Sequence, residues 1–184
     1  MYPAWHEERM SRSRSELWNL PDPLSLEELI DIPEEWKNGT VRCRIVYGTN
    51  LESVTFHKYD KQPVNSLRLV ECNDIDYHLK KTDRSMLNDL FSRREGCDEI
   101  IIIRNGLVTD TSISNLIFFD GEKWVTPSTP LLEGTCRQRL LYEGKISEAM
   151  ILVENLEHFC GFMFINAMRP MEEEKMIPMK AIKG

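Results

Sequence analysis

Asp110 lies in the stretch Val108-Thr109-Asp110-Thr111-Ser112-Ile113-Ser114-Asn115, a polar cluster between two apolar runs. A carboxylate placed there is a candidate buried charge, and buried charges are rare unless paired. Further along, Leu132-Glu133-Gly134-Thr135-Cys136-Arg137 opens onto a helix-forming segment. A helix start offers N–H groups to an anion, Gly134 permits close approach to the backbone, and Thr135 adds a hydroxyl. A ligand with a cationic ring at one end and a phosphate at the other needs both features. Each also has a plainer reading taken alone. Asp110 can be a turn aspartate bonding its own backbone, and Gly134 can mark an ordinary helix start.

Lys80 and Lys81 stand between a connector and a second helical pattern. A lysine at a junction between lobes is partly desolvated, which lowers its pKa and makes it an amine nucleophile. A solvated lysine pair is the alternative. His6 and Arg9 are three apart on an N-terminal helical pattern and so share a face. An arginine there presents a forked donor suited to phosphate, although Arg12 and Arg14 nearby also fit a solvated basic face. His57, His78 and His158 have no ligand-like or triad-like spacing and read as structural. Met163, Met168, Met171, Met176 and Met179 read as fillers of core and edge.

The elements that must position these residues follow from periodicity. His6 to about Leu17 is predicted helical, with Met10, Leu17 and Trp18 on one side, and Asp22-Pro23 punctuates it. Ser25-Leu26-Glu27-Glu28 is a capping-box pattern for a second helix, which Pro33 interrupts and Asn38-Gly39 ends. From Val41 the pattern alternates, predicting strands over Val41–Tyr47, Ser53–Tyr59 and Ser66–Glu71. Ser85 to about Arg94 is predicted helical, its apolar stripe being Met86, Leu87, Leu90 and Phe91. Strands are then expected over Glu99–Ile103, Leu107–Asp110, Leu116–Phe119 and Trp124–Thr126, turning at Asn105-Gly106 and Asp120-Gly121. Gln138–Tyr142 is predicted helical, with Ile146–Leu152 and Phe162–Asn166 as further strands. The layout is α+β in two lobes, residues 1–76 and 77–184.

Composition narrows the function classes. With 41% hydrophobic and 29% charged residues the chain has a globular balance, and a net charge of −7 argues against nucleic acid as a partner. No apolar run approaches the ~20 residues of a membrane span, and the N-terminus lacks the apolar centre of a secretory signal. Cys43, Cys72, Cys97, Cys136 and Cys160 are scattered without a C-x-x-C pair, which suggests neither disulfides nor a zinc site. The expectation is a reduced, cytoplasmic protein that holds no metal.

Together the motifs resemble the class IV aminotransferase family, the fold-type IV enzymes that use pyridoxal 5′-phosphate (PLP). His6-Glu7-Glu8-Arg9 is similar to the family's H-x-x-R, and Lys80-Lys81-Thr82-Asp83-Arg84 to its K-x-x-N-R. Val108 to Asn115 resembles V-T-E-x-x-x-S-N, and Thr126-Pro127 with Leu132 to Arg137 resembles the T-P and L-x-G-x-x-R elements. Phe164-Ile165-Asn166-Ala167-Met168 is similar to the strand that passes the cofactor phosphate. The matches run in family order over nearly the whole chain.

The resemblance implies a two-lobed fold like that of D-amino acid aminotransferase. It makes Lys80 the catalytic lysine that bonds the cofactor, and sets Asp110 at the pyridine nitrogen. It assigns Arg9, the Gly134-Thr135-Cys136 backbone and Asn166 to the phosphate, and counts Asn115 among the cofactor-binding residues. This sequence departs from the family pattern where Asp110 replaces the usual, longer Glu and where Cys136 stands in place of a common threonine. Relatives also carry a strand hairpin before the first helix that is missing ahead of His6 here.

The implied reaction is elimination of the aminodeoxychorismate lyase type, giving 4-aminobenzoate and pyruvate for folate synthesis. Transamination of branched-chain or D-amino acids is the alternative, and a catalytically impaired relative acting as a binding subunit is another. An amino-acid-like small molecule is the expected substrate and a homodimer the expected assembly, with no nucleic acid or membrane partner.

Overall fold

Ile100-Ile101-Ile102-Ile103 puts a branched apolar side chain on both faces of one strand, so that strand has to be covered on both sides. In the computed structural model, which describes residues 2–20 and 24–184, it is. The expected break at Asp22-Pro23 lies outside the described residues.

The chain forms two compact units, Met1–Gln62 and Pro63–Gly184. The first contains α1 (Pro3–Trp18), a single helical turn α2 (Leu26–Leu29), and the antiparallel hairpin β1 (Val41–Tyr47) and β2 (Leu51–Lys58). Ser25 caps α2 by accepting from the Glu28 N–H, as the capping pattern implied. Glu7 ties α1 to α2 by accepting from the Leu26 N–H at 2.7 Å. Arg14 is buried and donates to the Thr49 carbonyl at 3.0 Å, so it is not part of the solvated basic face. Met10 is buried, whereas Leu17 and Trp18, expected beside it, are exposed.

The second unit carries β3 (Leu67–Glu71), α3 (Ser85–Ser92), β4 (Glu99–Arg104), β5 (Leu107–Thr111), β6 (Asn115–Phe119) and β7 (Trp124–Pro127). It continues with α4 (Thr135–Tyr142), β8 (Ser147–Ala149), β9 (Gly161–Ile165) and β10 (Ile182–Lys183). These strands make two four-stranded sheets, in the orders β10-β3-β4-β5 and β8-β7-β6-β9. Because β3 pairs in parallel with both β4 and β10, it belongs to this unit, and the division falls after Gln62 rather than at residue 76. Ile146–Leu152 holds only the short β8, after which the chain turns into a 3₁₀ segment, Val153–His158.

The unit is layered. Ile101, Ile103 and Val108 of one sheet pack against Leu116, Phe118, Phe162 and Phe164 of the other, so the sheets meet face to face. On the outer face of the first sheet, Ile100 and Ile102 receive Leu87 and Leu90 of α3. On the outer face of the second, Ile117, Met163 and Ile165 receive Cys136 and Leu140 of α4. The same isoleucine run therefore serves two cores. Asn105 and Gly106, both at positive φ, close the β4–β5 hairpin as the Asn-Gly signal predicts. That hairpin delivers Asp110 near the end of β5.

Candidate active site

Asp110 is buried, and both carboxylate oxygens are engaged. Asn115 Nδ2 donates to Oδ1 at 2.7 Å, while the N–H groups of Leu131 and Leu132 each donate to Oδ2 at 2.9 Å. Burial is the larger influence all the same and raises its pKa from 3.8 to about 6, against the pull of these donors and of the Arg137 charge. The carboxylate is held in place but left short of positive charge.

Asn115 links this carboxylate to the start of α4. Its Nδ2 also donates to the Leu132 carbonyl at 2.8 Å, and a Cβ built on Gly134 would lie 2.1 Å from its Oδ1. Only glycine allows that approach, so the conformational freedom of Gly134 is not what matters here; the missing side chain is. Gly134 stands at the N-cap of α4 with no side-chain cap, and Thr135 and Cys136 begin the helix. The first N–H groups of such a helix suit an anion. The Cys136 side chain packs into the core beneath α4, where burial raises its thiol pKa, leaving its backbone for that role.

The turn between β5 and β6 is closed by its own hydroxyls. Thr111 Oγ1 donates to the Ser114 carbonyl at 3.1 Å and accepts the Ser114 N–H at 2.9 Å. Asn166 buttresses this turn from the end of β9, donating to Ser114 Oγ at 2.8 Å while its Oδ1 accepts the Met168 N–H. The polar atoms of the Asn166 side chain are thus committed within the protein.

Lys80 follows an alternating segment in which Ile75, Tyr77 and Leu79 are buried and Asp76, His78 and Lys80 are exposed. It lies within the second unit and is exposed. Lys81 sits 3.5 Å from Asp76, which also bonds His78. His6 and Arg9 do come together on α1 in the first unit. Burial first, then the Arg9 charge, lowers the His6 pKa to about 4, so that imidazole is neutral near pH 7.

Three residues without an assigned role in the sequence reading emerge. Glu99 opens β4 yet is buried; it accepts the Ser112 hydroxyl at 2.9 Å and the Ile100 N–H at 2.8 Å, and desolvation raises its pKa. Arg84, just ahead of α3, donates to the Ser112 carbonyl at 2.7 Å. Arg137, nearly inaccessible, donates to the Pro127 carbonyl at 2.9 Å and to Glu148 at 2.6 Å, pinning α4 to β7 and β8. A glutamate directly before four isoleucines was a usable signal for Glu99.

Comparison with known proteins adds the following. Residues 4–173 match the family described as amino-transferase class IV. A Haemophilus influenzae protein of no stated function is 44% identical over 165 residues, covering 89% of this chain and 88% of its own. The crystal structure of a candidate 4-amino-4-deoxychorismate lyase from Haemophilus somnus is 36% identical with a TM-score of 0.83, over 92% of this chain and 90% of that one. A hypothetical aminotransferase from Mycobacterium tuberculosis in PLP-bound form is 14% identical with a TM-score of 0.72, over 98% of this chain and 76% of that one; this is a likeness of fold.

Proposed function

The chain belongs to the class IV amino-transferase family, and from that premise we propose that it is a PLP-dependent lyase releasing 4-aminobenzoate and pyruvate from aminodeoxychorismate. The observation that carries the cofactor reading is Asn115, which bonds both Asp110 and the Leu132 carbonyl and lies against Gly134, so that a buried carboxylate is tied to an uncapped helix start. Lyase rather than amino transfer is supported by the 36% identical relative from Haemophilus somnus.

The residues present fit the cofactor. Asp110 Oδ1 accepts one bond from Asn115, and a carboxylate oxygen has room for a second. A cation placed there would offset the desolvation that now raises the Asp110 pKa. The shorter side chain at this position is accommodated because the Leu131 and Leu132 amides reach it directly. At the other end, a side chain on Gly134 would collide with Asn115.

When bound, PLP supplies an electron sink for chemistry at the substrate α-carbon. In the proposed arrangement Asp110 keeps the proton on the ring nitrogen, and Asn115 fixes the direction of that carboxylate. The Gly134, Thr135 and Cys136 backbone would hold the phosphate, and Asn166 would serve it by supporting the β5–β6 turn; the family resemblance also assigns Arg9 to the phosphate. Lys80 would hold the cofactor covalently through Nζ, and its amine, once free, would move a proton at the substrate α-carbon. The proposal includes a homodimer, to be read by light scattering, and a cytoplasmic location. No helix among the described residues is long and apolar enough to cross a membrane.

Absorption spectra of the purified protein with added PLP test this reading. A visible band that is lost on borohydride reduction and absent from Lys80→Ala is expected, and wild-type protein without such a band would leave a binding subunit instead. Release of pyruvate and 4-aminobenzoate from aminodeoxychorismate should occur without a keto acid. Turnover that depends on a keto acid, with no elimination, would make the protein a transaminase.

A further inference from the structure

Ser112 is gripped from two sides. Arg84 Nη2 donates to its carbonyl at 2.7 Å, and Glu99 takes its hydroxyl at 2.9 Å and its N–H at 3.4 Å. Arg84 reaches back as well: its Nη1 is 3.5 Å from the Tyr77 hydroxyl, its guanidinium carbon lies 5.9 Å from the centre of the Tyr77 ring, and that hydroxyl donates to the Lys81 carbonyl at 3.1 Å. The Tyr77 ring is itself anchored in the core formed with Ile100, Ile102, Leu87 and Leu90. A continuous path therefore runs from the backbone at Lys81 through Tyr77, Arg84 and Ser112 to Glu99. One end is the segment that bears Lys80; Ser112 directly follows β5, the strand that bears Asp110, and Glu99 at the other end opens β4.

We propose that Arg84 and Glu99 are positioning residues that latch the Lys80 segment to the Asp110 strand end through Ser112. The inference rests on the cofactor reading for the roles of Lys80 and Asp110, but the latch itself is a property of the unliganded chain. Lys80 is exposed and makes no contribution to the core, so burial of its own side chain cannot hold it in register. Buried residues flank it in the chain, Tyr77 and Leu79 before it and Leu87 after it. Arg84 converts that into a fixed relation to β5, because a planar guanidinium donates in defined directions. Glu99 completes the latch. A buried carboxylate needs a nearby positive charge and full hydrogen bonding, and Arg84 and Ser112 supply them.

The test uses the full-length protein without added cofactor. Amide hydrogen exchange over residues 79–83 should accelerate on the order of tenfold in Arg84→Met, the effect of losing a charge-assisted hydrogen bond from a local opening, while β6 is unchanged. Unchanged exchange over 79–83 would overturn the latch. PLP is then added and trapped with borohydride, and the ratio of adduct at Lys80 to adduct at Lys81 is read by mass spectrometry. Arg84→Met should lower that ratio, and Arg84→Lys should restore part of it. Faster exchange with an unaltered ratio would mean that the network orders the chain without positioning Lys80, which also overturns the proposal. If Arg84→Met fails to fold, Tyr77→Phe removes one hydroxyl from the path and should show the same two effects in weaker form. Wild-type protein that forms no Lys80 adduct would refute the cofactor reading, with the exchange result still judging the latch.

Discussion

The Asp110–Asn115 turn and the Ile75–Lys81 segment each carry a group with a proposed role, and they hold it in opposite ways. Asp110 is surrounded: three donors converge on its carboxylate, and the turn beyond it is closed by Thr111 and Ser114. Lys80 is held out on the exposed side of an alternating segment whose other side is buried. An electrostatic group works best fixed in advance in a water-poor place. A lysine that must bond one partner and then release it needs room to move its chain. In the proposed function, rigidity belongs to the charge and reach to the amine.

Removing the amine is the sharpest way to break this contrast. Lys80→Ala should abolish the borohydride-trapped adduct and cut turnover by roughly a thousandfold or more while leaving the melting temperature near that of wild type. A large thermal loss would show that the exposed side chain is structural after all. On the rigid side, Gly134→Ala should do the reverse and damage the fold, because its Cβ would lie 2.1 Å from Asn115 Oδ1 and would push away the amide that holds Asp110. Overpacking of this kind costs about 1–3 kcal/mol. Thermal denaturation should then show a fall of roughly 2–12 °C.

Asp110→Asn sharpens the comparison through pH. The native pKa of Asp110 is raised to about 6, so the folded state holds this proton more tightly than the unfolded chain does. Its contribution to stability is therefore most favourable below about pH 4 and is lost as pH rises through about 6, by on the order of 3 kcal/mol. Urea midpoints of the cofactor-free protein should show that decline in wild type, and a flatter profile in Asp110→Asn. Glu99, also raised by burial, acts in the same direction, so some slope will persist. The smallest effect is expected at Met86, on the helix that follows Lys80. It is exposed despite its place in the apolar stripe, and Met86→Ala should change stability by about 0.5 kcal/mol or less.

Much of this could be read from local pattern. Val41–Tyr47 alternates and is a strand with those bounds; Asn105-Gly106 predicts a hairpin and closes one. Ser25 caps its helix through the expected N–H. Asp110 stands out as a carboxylate between apolar runs, although a turn aspartate fits the same pattern. The misreadings share a cause. Arg14 looked like one more surface arginine because its acceptor, the carbonyl of Thr49, lies on a distant loop. Glu99 has no role in the sequence pattern beyond opening a strand, because Ser112, its partner, comes after the next hairpin. Residues 63–76 were grouped with the first lobe because nothing local reveals that β3 pairs with β4 and β10.

The sequence by itself determined the α+β class, most strand and helix positions, and the motif order that marks the family, since these depend on side-chain period, turn chemistry and residue type over short spans. Only the tertiary structure decided that Asp110 is buried with a raised pKa, that Asn115 joins it to the start of α4, and that Lys80 is exposed beside a latch built from Arg84, Ser112 and Glu99. Desolvation and hydrogen-bond direction depend on what surrounds a group in space, and here the surrounding atoms come from elements far apart in the chain.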